Sequence, residues 1–181
     1  SEALSQYDDI EIIVTGDEKE LTSYIEKYNC DKNRVRIINS TEVISCHDAP
    51  VEAIRKKKDS SLVLALNTVK DGETQAIISS GSSGAILAGG QFIVGRAKGV
   101  KRTPLAPLLP TKGKPSLLID CGANVDAKPE NLLQFAKMGS VYMEHVMGIK
   151  NPKVAIVNIG AEEEKGNALV KETFPLLKAC P

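Results

Sequence analysis

The chain has 181 residues, 42% of them apolar and 25% charged, with no tryptophan and only 4% aromatics. That allows one globular domain with a real core and leaves too few rings for a surface that stacks on nucleic-acid bases, so no nucleic-acid partner is expected. Its 23 basic and 23 acidic side chains cancel, so no global field draws the chain to DNA or to a membrane, and local patches must carry any recognition of charge. Cys30, Cys46, Cys121 and Cys180 lie far apart, and neither His47 nor His145 joins them at ligand spacing. Reduced thiols are therefore expected rather than a disulfide scaffold, and no metal site. No apolar run reaches the roughly 18 residues of a membrane span, no signal peptide is visible, and the expected location is cytoplasmic. The first nine residues read as the tail of an element and the last ones stop in or just after a helix, the pattern expected of a piece of a longer protein.

Strands and helices alternate along the chain. Ile10–Thr15 reads as a strand, Gly16-Asp17 as a turn, and Asp17 with Glu20 as a capping-box-like helix start. Leu21, Tyr24, Ile25 and Tyr28 then share one helical face. Arg34–Ile38 is a second strand, and Val51–Lys58 a short basic helix. Ser60 or Ser61 caps Leu62–Val69, which is apolar nearly all round and so expected to be buried. Gln75–Ser79 reads as a strand running into Ser-Gly-Ser-Ser-Gly and a helix over Ala85–Arg96. Leu105–Leu109 and Leu117–Asp120 are further strands, joined by a turn at Pro110–Pro115. Pro129 opens a helix whose Ala136, Gly139 and Ser140 allow close approach of another element. Val154–Ile159 reads as a buried parallel strand, and Leu169–Leu177 as the last helix. The alternation predicts an α/β fold with a largely parallel, doubly wound sheet in a single domain over 1–181. In such sheets ligands bind beyond the carboxyl ends of the strands, so chemistry is sought in the segments that follow strands.

Three such segments stand out. In Ser79–Gly84, small residues let backbone approach a ligand, and free N–H groups at a helix start favour an anion, with phosphate the one expected; the alternative is a flexible turn with a serine cap. Asp120–Pro129 crowds Asp120, Asn124, Asp126 and Lys128 into one loop. Asn124 can position a ligand and Lys128 neutralise an anion, or the segment is an Asx-rich turn with Asp126 as a helix cap. Asn158–Asn167 brings Lys165 and Asn167 to the start of the last helix, with Glu162 as a lesser candidate beside a solvated glutamate run. Two basic clusters, one of Arg55, Lys57 and Lys58 and one of Arg96, Lys98, Lys101 and Arg102, are either solvated charge or a docking surface for an acidic partner. Cys121 has no predicted partner base, and His47 is a lone loop histidine.

Read together, these segments resemble the bacterial acyl-ACP:phosphate acyltransferase family (PlsX). The resemblance is carried by Asp48-Ala49-Pro50-Val51, Arg55-Lys56-Lys57-Lys58-Asp59-Ser60-Ser61, the Ser79–Ala85 loop, residues 92–100 (FIVGRAKGV), residues 102–111 (RTPLAPLLPT), residues 120–142 (DCGANVDAKPENLLQFAKMGSVY) and residues 158–169 (NIGAEEEKGNAL). The stretch at 120–142 is the most specific, and order and spacing agree over essentially the whole chain. The resemblance implies a three-layer α/β/α fold like that of isocitrate and isopropylmalate dehydrogenases, usually dimeric. It also implies transfer of a fatty acyl group from acyl carrier protein to inorganic phosphate in phospholipid synthesis, with no cofactor. The family's first strand, with its Asp/Gly/His-bearing loop, and its C-terminal part are not found in this sequence. Peripheral membrane association, if any, is expected through segments absent here.

On that resemblance, Ser80, Gly81, Ser82, Ser83 and Gly84 are expected to cradle phosphate, Lys128 and Lys165 to supply positive charge, and Asn124 and Asn167 to orient phosphate or acyl oxygen. Asp120 and Asp126 are expected to fix lysines and backbone. The two basic clusters would meet the acidic carrier protein. Rival readings are a phosphate acetyltransferase-like enzyme of the same fold using acyl-CoA, and a non-enzymatic module that binds acyl carrier protein.

Overall fold

Ile12, Ile13 and Val14 are β-branched and favour a pleated backbone. In a computed structural model describing residues 2–180 they form strand β1 (Ile12–Gly16). β1 pairs in parallel with β2 (Val35–Asn39), Ile12 opposite Val35 and Gly16 opposite Asn39. Parallel neighbours need a crossover, and helix α2 (Glu18–Lys27) supplies it. Asp17 starts α2 as expected, its Oδ1 accepting from the Glu20 N–H at 2.9 Å. The Glu18 N–H donates to Asn39 Oδ1 at 3.0 Å, tying the helix start to the end of β2. A short helix α1 (Glu2–Gln6) precedes β1, and Arg34 holds it by donating to the carbonyls of Leu4 and Tyr7.

The chain divides at Arg96 into two compact units, Ser1–Arg96 and Ala97–Pro181. The core of the first is built by α3 (Pro50–Lys56), α4 (Ser61–Lys70) and α5 (Ser83–Gly89). Ile54, Leu62, Val63, Leu66, Ala85 and Ala88 are buried together, with Ile44, Ile77, Ile86 and Ile93 packed against them. α4 is apolar enough to be buried, as its sequence predicts. Ser60 is its N-cap residue, yet its hydroxyl donates backwards to the Lys57 carbonyl at 2.8 Å. Gly89 lets α5 lie against α4, since a Cβ there would overlap Leu66. The helix expected over 85–96 begins at Ser83 and changes at Gly90 into a π-helical turn, Gly90–Val94. Gly95 ends it with φ +94°, its N–H reaching back five residues to the Gly90 carbonyl at 3.0 Å.

The second unit contains a small antiparallel pair, β3 (Leu108–Leu109) and β4 (Ser116–Leu117). These are shorter than the strands expected at 105–109 and 117–120, because Pro107 has no N–H to give a ladder. Backbone bonds nevertheless continue past them, from Leu118 to Pro107 and from Asp120 to Leu105. Thr111 closes the intervening turn by donating to the Lys114 carbonyl at 2.7 Å. α6 (Pro129–His145) buries Asn131, Phe135, Gly139 and Met143, and α7 (Ala168–Lys178) buries Thr173. At Gly139 a Cβ would lie 3.4 Å from Leu117 and 3.7 Å from Ile119, so this is where the helix admits the chain around β4.

Two expected strands do not form. Gln75–Ser79 and Val154–Ile159 carry no ladder among the described residues. Ile77 packs on the first unit's core, but Ile78 is 99% exposed, and in the second run Val157 and Ile159 are 82% and 89% exposed. An apolar run supplies the side chains for a buried strand; the strand itself exists only when a neighbour takes its N–H and C=O groups. The described residues thus form an α/β structure with a parallel sheet and flanking helices, and none of the described helices is long and apolar enough to cross a membrane.

Candidate functional site

In the first unit, the serine–glycine loop turns into α5 through its own hydroxyls. Ser79 Oγ accepts from the Gly81 N–H at 3.2 Å, and Ser82, the N-cap, accepts from the Ala85 N–H at 3.3 Å. The N–H groups of Ser83 and Gly84 in the first turn have no partner among the described residues, as the geometry of a helix start requires. Ser80, Gly81, Ser83 and Gly84 are exposed. Gly84 has a packing reason of its own: a Cβ there would stand 2.8 Å from Pro50 Cγ at the start of α3. The loop is therefore both a capped helix start and a set of exposed donors.

In the second unit, Asp120 takes a left-handed conformation, φ +62°, and Gly122 follows at φ +92°. The bend brings Asp120 against Asn124, whose amide donates to Asp120 Oδ1 at 2.8 Å and to the Thr103 carbonyl at 3.2 Å. Both amide hydrogens are thus committed, and only Oδ1 of Asn124 remains to face a ligand. Asp120 fixes Asn124 rather than a lysine. Lys128 is the N-cap residue of α6, and its N–H donates to the side chain of buried Asn131 at 2.9 Å. Lys128 is exposed, and its charge is one of those that lower the pKa of Glu130, after the hydrogen bond and charge of Lys101. Asp126 is exposed and does not cap the helix.

The third loop is closed by asparagines. Asn158 donates to the Lys165 carbonyl at 3.0 Å, while Gly166 at φ +104° passes so close that a Cβ would strike Asn158 and Val170. Asn167 is the N-cap of α7, its Oδ1 accepting from the Val170 N–H at 3.0 Å. Its NH₂ group and the exposed ammonium of Lys165 have no hydrogen-bond partner among the described residues. Among the described residues no hydrogen bond or ion pair joins this loop to Asp120–Pro129.

The basic residues divide by their partners. Lys57 donates to Asp48 at 2.6 Å and to the Val43 carbonyl at 2.7 Å. That hydrogen bond, then the one from the Ser45 N–H, holds the Asp48 carboxyl below the usual carboxylate range. Lys101 pairs with Glu130 at 2.6 Å and lowers that carboxyl's pKa in the same way. Arg55, Lys58 and Lys98 are exposed, and Arg102 is half-buried. Sequence reasoning passed over Asn131 and Asn158, which organise the second and third loops; the available signal was an asparagine three residues after Lys128 and another at the end of an apolar run. It also passed over the apolar groove beside Arg55, lined by Val51, Ile54, Phe92 and Ile93. No cluster of three or more metal-ligating side chains occurs among the described residues.

Comparison with known proteins gives these loops a common context. A family described as "Fatty acid synthesis protein" matches residues 1–181. The chain belongs to the fatty acid synthesis protein family. This is the family its motifs resemble. Proteins named phosphate acyltransferase are similar to it along nearly its whole length: one from Clostridium botulinum (strain Langeland) is 53% identical over 98% of this chain. One from Clostridium novyi is 50% identical, and one from Clostridium perfringens (strain SM101) 55%, both again over 98% of the chain. The aligned region is 53% of the C. botulinum and C. novyi proteins and 52% of the C. perfringens one, so the chain spans about half the length of these curated relatives. Within the family, the three polar loops and the two basic clusters all lie in the matched region.

Proposed function

We propose that the full-length protein is a phosphate acyltransferase that makes acyl phosphate from acyl-[acyl carrier protein] and inorganic phosphate, for phospholipid synthesis. The observation that carries the reading is the relationship itself: identity of 50–55% to proteins named phosphate acyltransferase over 98% of this chain. In the reaction a phosphate oxygen attacks the thioester carbonyl, a C–O bond forms, and the C–S bond breaks to release the carrier's thiol. Phosphate is already a nucleophile near neutral pH, so the protein's work is to hold it, orient the carbonyl and stabilise the oxyanion.

The open N–H groups of Ser83 and Gly84, with the hydroxyls of Ser80 and Ser83, suit phosphate oxygens. Ser82 and Gly81 shape the loop that presents them. Lys128 and Lys165 supply charge, Asn167 offers its NH₂ group, and Asn124 offers Oδ1 to a protonated phosphate oxygen. Asp120 is a positioning residue for Asn124, and Asp126 contributes to the loop's backbone. Arg55, Lys58 and Arg96 in the first unit, and Lys98 and Arg102 in the second, meet the acidic carrier protein, while Lys57 and Lys101 brace their own clusters through Asp48 and Glu130. The completed protein takes the three-layer α/β/α fold of the isocitrate and isopropylmalate dehydrogenases and works as a cytoplasmic homodimer.

The test is thiol release from acyl-[acyl carrier protein] by the full-length protein, with and without phosphate, alongside an acyl-CoA donor. Phosphate-dependent release with the carrier-protein donor, and label from radioactive phosphate appearing in acyl phosphate, is the expected result. Release that ignores phosphate, or that occurs only from acyl-CoA, sinks this reading.

A further inference from the structure

The run Arg55-Lys56-Lys57-Lys58 looks uniform in sequence, and the fold divides it in two. Lys56 is neutralised by Glu52 at 2.8 Å and Lys57 by Asp48 at 2.6 Å. Arg55 and Lys58 have no acidic partner among the described residues; Lys58 donates to the Ile54 carbonyl at 3.2 Å. These two cations line a groove of about 440 Å³ whose other walls are Val51, Ile54, Phe92 and Ile93. Val51, Ile54 and Arg55 fall on one face of α3 at spacings of three and four, and Lys58 follows in the turn after the helix's C-cap, Lys57. α3 and the turn after it thus present apolar floor and positive charge together, and the π-helical turn, with Phe92 exposed, forms the opposite wall. Such turns occur often at functional sites, and the volume lies within the roughly 300–1,000 Å³ of small-molecule sites.

We infer that this groove binds a single-chain amphiphilic anion, its aliphatic chain along Ile54, Phe92 and Ile93 and its anionic head at Arg55 and Lys58. An aliphatic chain is the occupant that four apolar walls satisfy without asking for hydrogen bonds, and two uncompensated cations call for an anionic head. The choice of a fatty-acyl chain with a phosphate head rests on the function proposed above, whose product has that form. Recognition of the chain and of the head are separate terms, so shortening the one or neutralising the other should each weaken binding.

The experiment uses the full-length protein and dodecyl phosphate below its micelle concentration, followed by calorimetry, with butyl phosphate, inorganic phosphate and vesicles of phosphatidylglycerol as comparisons. Dodecyl phosphate should bind, and butyl phosphate at least tenfold more weakly. The double variant Arg55→Gln/Lys58→Gln should raise the dodecyl phosphate Kd at least tenfold, and Phe92→Ser, at an exposed position, should do the same. Failure of either variant to change the Kd, no binding of dodecyl phosphate, or binding to vesicles alone overturns the inference. No acyl donor enters this measurement. Binding that responds to the variants in a protein that forms no acyl phosphate therefore removes only the proposed reaction. Acyl phosphate formation by a protein that does not bind dodecyl phosphate removes only the groove.

Discussion

Gly84 has two explanations, and a substitution separates them. Its missing Cβ admits Pro50 at 2.8 Å from where that carbon would stand, a contact between α5 and α3. Gly84→Ala must push Pro50 aside, and we expect a loss of about 1–3 kcal/mol in urea unfolding, the ordinary cost of overpacking. Gly81 carries no such load, since a Cβ there would meet only the Ser79 hydroxyl at 3.3 Å; Gly81→Ala should leave stability nearly unchanged and act on phosphate binding instead. Asp48 gives a pH prediction. Its carboxyl lies below the ordinary 3.8, first through the hydrogen bond from Lys57 and then through the Ser45 N–H. A carboxyl depressed in the folded state adds stability that is present above its unfolded pKa and lost as pH falls through the folded value. The urea midpoint should therefore drop as pH falls below about 4, and Asp48→Asn should show a smaller drop over the same range. Equal acid sensitivity in both proteins would remove Asp48 from the account.

At the scale of elements, two site residues sit at helix starts, where structural and chemical roles are easily confused. Asn167 caps α7 through Oδ1, while its NH₂ group is what the proposed site uses. Asn167→Ala should cost about 1 kcal/mol of stability as a lost cap. Asn167→Asp keeps the cap, places a carboxylate at the favourable end of the helix, and removes the NH₂ donor. It should retain stability yet lose acyl phosphate formation; retained activity would mean that Asn167 is a cap and nothing more. Lys128 is the reverse case, because the side chain that closes the start of α6 is that of Asn131. Lys128→Ala should change stability by no more than about 0.5 kcal/mol while lowering turnover, whereas Asn131→Ala removes the buried partner of the Lys128 N–H and should destabilise.

These pairs show what was legible in the sequence. The Asp17 cap, the proline at the start of α6 and the apolar faces of α2 and α7 are local signals, each read within a turn of the chain. Lys128 and Asn167 were visible as candidates by residue type. Their internal duties depend on which atom is already spoken for. The bond from Asn124 to the Thr103 carbonyl spans 21 residues, and the switch to a π-helical turn at Gly90 has no periodic signature. Neither is available to a reading of spacing and composition.

For the whole molecule, the unformed strands matter most. Residues 154–159 read VAIVNI, and the structure leaves Val154, Val157 and Ile159 exposed, with Ile78 equally open in the first unit. Adjacent apolar side chains on backbone that makes no ladder are the ingredients of edge-to-edge association. The 181-residue chain should therefore bind a hydrophobic dye and self-associate as its concentration rises, as followed by light scattering. Val157→Lys with Ile159→Lys should suppress both, because charge on an exposed run is how natural edges avoid pairing. Both positions are exposed, so the substitutions remove no core contact, and the thermal unfolding midpoint should stay within about 2 °C for a change of a few tenths of a kcal/mol. A midpoint that falls by much more would show that these side chains are packed, and that the run at 154–159 is a strand after all.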